Sequence, residues 1–172
     1  MPETIAMIRA RPLLLLPVAL VLTGPAAAQS PGALDAPGDQ PLAHLSAVGV
    51  QVYECRSGPD GQPAWAFKEP RADLSLAGRP VGRHYAGPTW EHEDGSRVVG
   101  RAAASLPAPR PGDIPWLRLT VVSRTGEGAF GAVTAVQRVA THGGTLAGRC
   151  DTPGAATEVP YTADYIMLRA AP

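Results

Sequence analysis

Glycine and proline interrupt this chain at short intervals, 19 of each in 172 residues, and between the interruptions the apolar residues alternate with period two. No convincing amphipathic helix fits between the breaks, whereas short strands and turns do. Leu45 to Cys55 sends Val48, Val50 and Val52 to one side and Gln51, Tyr53 and Cys55 to the other, the mark of an extended strand. Pro59-Asp60-Gly61-Gln62 reads as a turn and Ala64 to Phe67 as the returning strand, stopped by Pro70. Leu74 and Leu76 are expected core anchors.

His84 to Glu93 reads as one strand running into Asp94-Gly95, a strong hairpin signal. A two-residue loop there pairs His92 with Arg97, Glu91 with Val98 and Trp90 with Val99. Residues 106 to 115 form a Pro-rich loop. Trp116 to Arg124 then turns at Gly126-Glu127-Gly128 and returns as Phe130 to Thr141. That register opposes Val121 to Val133, Leu119 to Ala135 and Trp116 to Arg138, the last a cation–π geometry. Val159 to Leu168 is the last strand, with Tyr161, Tyr165 and Met167 on one side. Six or seven strands joined mostly by tight turns predict an all-β fold, a single antiparallel β-sandwich or a partly closed barrel with little helix.

The N-terminus reads as an export signal over residues 1–28. Arg9 and Arg11 precede an apolar run from Leu13 to Leu22, and Ala26-Ala27-Ala28 offers a cleavage site before Gln29. The run is half the roughly 20 residues that a spanning helix needs. Residues 29–41 read as a flexible Pro/Gly-rich leader and residues 42–172 as one β-rich domain. The expected location is secreted or periplasmic, with no integral membrane segment in the mature chain. In that setting Cys55 and Cys150 are expected to form a disulfide. The formal net charge is zero, and no Lys/Arg cluster points to nucleic acid.

Four blocks carry a family likeness: Gly49-Val50-Gln51-Val52-Tyr53-Glu54-Cys55, Gly82-Arg83-His84-Tyr85-Ala86-Gly87-Pro88-Thr89-Trp90-Glu91, Ile114-Pro115-Trp116-Leu117, and Val159-Pro160-Tyr161-Thr162-Ala163-Asp164-Tyr165. In them the chain resembles the secreted domain-of-unknown-function family DUF3455. The resemblance implies export and a single domain. It implies no mechanism and no catalytic residue.

The densest polar and aromatic cluster is expected to be the functional region. His84, Tyr85, Trp90, Glu91 and Arg97 are the candidate ligand-binding residues, rings for stacking and polar groups for directed hydrogen bonds. The leading expectation is a non-catalytic module for a small molecule, glycan or cell-envelope partner, with no cofactor. A hydrolase or isomerase using Glu91 and His84 as acid and base is the alternative, and a purely structural surface protein the third reading. A carboxylate pair of Glu91 and Asp164 is a weaker catalytic option. A metal site on His84, Glu91 and His92 is disfavoured because neighbours on a strand point to opposite faces. No G-x-S-x-G elbow is present.

Overall fold

The computed structural model describes residues 31–35 and 37–171. The expected signal peptide lies outside the described residues, as do Gln29, Ser30 and Ala36 of the leader. Eight strands follow one another: β1 (Asp39–Ser57), β2 (Pro63–Leu76), β3 (Arg79–Tyr85), β4 (Thr89–His92), β5 (Arg97–Leu106), β6 (Trp116–Thr125), β7 (Ala135–Gly143) and β8 (Ala156–Ala170). Each pairs antiparallel with its neighbour in sequence, and β8 returns to β1. The all-β expectation resolves as a closed barrel, not a sandwich. Among the described residues the only helical element is a 3-10 turn at Pro31–Leu34.

Closure separates an inside from an outside, and period two assigns each residue to one of them. Leu45, Ala47, Leu74, Trp90, Val98, Leu119, Val136, Tyr165 and Met167 fill the interior. Rings such as Trp90 and Tyr165 each remove roughly 150–250 Å² from water, about 4–6 kcal/mol of transfer free energy per ring. Cys55 on β1 and Cys150 in the β7–β8 connection stand at disulfide distance, 5.8 Å between Cα atoms.

Four local expectations are corrected. Pro70 does not end β2, which runs on to Leu76. Pro70 sits beside a β1–β2 irregularity and beyond the last β2–β3 pair, Ala72 with His84, where a missing N–H is tolerated. The segment His84 to Glu93 is two strands, because Gly87 (φ 123°) and Pro88 turn the chain and the Thr89 hydroxyl donates to the Ala86 carbonyl at 2.8 Å. This short hairpin brings the count to eight.

The third and fourth corrections are one-residue changes of register. At Asp94-Gly95 the loop is Glu93-Asp94-Gly95, so Trp90 pairs with Val98 and Glu91 with Arg97. Gly95 (φ 85°) supplies the left-handed residue that a three-residue loop requires. Between β6 and β7 the connection is longer than Gly126-Glu127-Gly128, and Ala135 begins β7. Leu119 therefore faces Val136, and Leu117 rather than Trp116 faces Arg138.

The long β6–β7 loop stoppers one end of the barrel. Phe130, 2% exposed, packs edge-on to His92 at 5.3 Å. The Asp94 carboxylate accepts from the Ser96 N–H (2.8 Å), the Ser96 hydroxyl (2.6 Å) and the Ala129 N–H (2.8 Å). These bonds, the Ser96 hydroxyl first, hold its pKa well below the usual carboxylate range. The Ser96 oxygen in turn accepts from the Phe130 N–H at 3.1 Å. Replacing Phe130 by Ala is expected to cost about 3–5 kcal/mol, the usual penalty for emptying a buried aromatic site. Urea unfolding measures this, and an unchanged midpoint would show that the ring is no stopper.

Candidate functional site

At the opposite end the wall is uneven. β1, β2, β5 and β6 extend past the β3–β4 hairpin, whose turn Ala86-Gly87-Pro88 forms a low rim. Behind this rim lies a half-open cavity of about 300 Å³ at the mouth of the barrel. The β3–β4 register pairs His84 with Trp90, and both rings face inward. They stack at 4.5 Å and 15°, and Tyr165 of β8 closes on both, 5.0 Å from His84 and 5.4 Å from Trp90. Leu117, Leu119 and Phe67 supply further apolar wall.

His84 is a buried, neutral group. Its Nδ1–H donates to the Thr89 carbonyl at 2.8 Å, which leaves Nε2 as an acceptor. Burial lowers its pKa from the ordinary 6.5 to about 3, with the positive charge of Arg138 adding to the effect against the Thr89 bond. Burial also raises the Tyr165 hydroxyl well above its usual value. The Tyr161 hydroxyl lies 3.3 Å from it.

Arg138 reaches the cavity from β7. Its register partners are Leu117 and Tyr165, both on the inner face. Its Nε and Nη2 donate to the Pro115 carbonyl at 3.1 and 2.8 Å, which ties the Pro-rich loop to the cavity mouth. Thr141 donates to the Ile114 carbonyl at 2.6 Å and fixes the same loop from the next turn of β7.

The remaining predicted residues face the other way. Tyr85, Glu91 and Arg97 line an open outer groove of about 710 Å³ with Arg71 and Arg83, and His84, although its ring is stacked inside, also borders it. Both Glu91 oxygens are occupied, one by Arg83 at 2.9 Å and one by the Tyr85 hydroxyl at 2.6 Å. The Tyr85 bond, then the Arg83 bond, lowers the Glu91 pKa. Thus the structure brings His84 and Trp90 together inside and Tyr85, Glu91 and Arg97 together outside. His84 and Glu91 lie on opposite faces of the sheet. Asp164 is also distant from Glu91, paired instead with His44 at 3.1 Å. Among the described residues no three His, Cys, Asp or Glu side chains form a metal-ligating group.

The family described as a protein of unknown function (DUF3455) matches residues 75–169, from the end of β2 nearly to the end of β8. The chain belongs to this family. No curated protein and no solved structure matches it. Within the DUF3455 match lie both rings of the stack, Tyr165, Arg138 and the Ala86-Gly87-Pro88 rim. Sequence reasoning missed Arg138, Tyr165, Leu117 and Leu119 as site residues. The signal for Leu117, Leu119 and Tyr165 was their apolar face. Arg138 was hidden by the one-residue error in register, which placed it beside Trp116.

The buried imidazole sets a pH dependence. Between about pH 6.5 and pH 3 the unfolded chain protonates His84 and the barrel does not, so stability is lost as the pH falls through that window. Across it the native protein is expected to lose roughly 3–5 kcal/mol more than His84→Phe. Urea titrations at stepped pH give the comparison, and parallel curves for the two proteins would refute the assignment.

Proposed function

We propose that this member of DUF3455 is a non-catalytic binding barrel that admits a small, largely apolar molecule over the Ala86-Gly87-Pro88 rim. The cavity carries this reading: about 300 Å³ at the mouth of a closed barrel, floored by the His84–Trp90 stack and Tyr165. That volume stands at the lower end of the range for ligand sites, and an eight-stranded barrel is the size that holds one small ligand. The binding residues are His84 and Trp90 with Tyr165, Leu117, Leu119 and Arg138. The interior position of the rings favours a small molecule over a glycan chain or an envelope partner docked outside. Acid–base catalysis by His84 and Glu91 has little support, since the sheet separates them and Glu91 is held by Arg83 and Tyr85. A purely structural role leaves the cavity without a purpose.

Ala102 lies on the cavity wall but is otherwise exposed, so a large residue there fills the mouth without disturbing the core. The neutral fluorescent probe N-phenyl-1-naphthylamine is expected to bind the native protein saturably. Ala102→Trp is expected to weaken it at least about tenfold with its melting temperature unchanged. Equal binding by both proteins would sink the proposal.

We also infer export to an oxidising compartment, the periplasm or the cell exterior. Support comes from the cysteine pair at disulfide distance and from the signal-like N-terminus. Among the described residues no helix is long and apolar enough to cross a membrane. N-terminal sequencing of the exported protein is expected to begin at Gln29, and an intact residue 1–28 segment would contradict this.

A further inference from the structure

We propose that the ligand is a small organic monocarboxylate with an apolar or aromatic body, its anion held by Arg138 and its body laid against the His84–Trp90–Tyr165 rings. This rests on the cavity reading and names the chemistry that the cavity selects. No Asp or Glu lines the cavity. Among the described residues Arg138 forms no ion pair, and the groups it bonds, the Pro115 carbonyl and the Tyr165 hydroxyl, are neutral. Lys68, the other cation at the mouth, pairs with Glu54 at 3.0 Å, a carboxylate it shares with Arg56 at 3.3 Å. Arg138 is thus the cavity-lining cation with no carboxylate partner among the described residues, half-buried beside apolar walls, where an opposite charge is worth more than in water.

The His84 Nε2 and the Tyr165 hydroxyl can each accept a hydrogen bond at this cavity, so the preference for an anion comes from the Arg138 charge. A guanidinium fork matches a carboxylate's paired oxygens. A monoanion matches the single charge of Arg138. About 300 Å³ bounds the body to the scale of a small ring system.

The test compares 2-naphthoate with 2-naphthamide, nearly the same shape without the charge, by calorimetry at pH 7 on the full exported chain. The carboxylate is expected to bind about tenfold or more tighter than the amide. In Arg138→Met that ratio is expected to collapse toward unity. Arg138→Gln, which keeps an N–H donor for Pro115, serves as the second variant and is expected to lose the ratio likewise. Equal affinity for the two compounds in the native protein would overturn the carboxylate assignment and leave the cavity reading standing. Failure of both compounds to bind would overturn both readings. A ratio that survives in folded Arg138→Met or Arg138→Gln would overturn the role of Arg138.

Discussion

The ladder between β1 and β8 is the interaction on which the rest of this structure depends. It runs from Asp39 opposite Ala170 to Glu54 opposite Ala156 and turns a linear meander into a ring. Without it the sheet would carry two exposed edges, each a template for pairing with another chain. With it, the strands share an inner face whose centre, from Leu45 and Leu74 to Val98 and Val136, is closed to water. The same ladder grades the interior. Ala47 opposite Ala163 is a small pair, while Leu45 opposite Tyr165 is a large one, and on β5 Gly100 leaves room for the indole of Trp90.

Once the ring is closed, the two ends divide the labour. One is locked by polar bonds that converge on Asp94 and by the ring of Phe130. The other is spanned by loops that Arg138 and Thr141 hold in place. The cluster around the His-Tyr-Ala-Gly-Pro-Thr-Trp-Glu block belongs to both surfaces of the wall. Its odd and even residues serve different environments: neutral rings within, a network of fixed charges without.

Much of this was legible in the sequence. The all-β class, the Pro-rich loop at 106 to 115, the cysteine pair and the inner stripe of Tyr161, Tyr165 and Met167 follow from period two and turn chemistry. What was not legible is register. Loop length decides it, and side-chain bonds decide loop length: Asp94 and Ser96 fix a three-residue loop, and the Phe130 stopper absorbs residues that look like strand. A shift of one residue exchanges the faces of a whole strand. That shift concealed Arg138, and the same alternation split five predicted site residues between the cavity and the outer groove. Pro70 misled for another reason, because its effect depends on whether partner strands lie on both sides, and here β1 pairs with it but β3 does not reach it.

The stoppered end has a physical consequence. If the barrel holds a small molecule as proposed, that molecule would pass the Ala86-Gly87-Pro88 turn, while the durability of the ring rests on Phe130, Asp94 and the β1–β8 seam. Holding a guest and staying folded would then be separately adjustable traits, set at opposite poles of one small barrel.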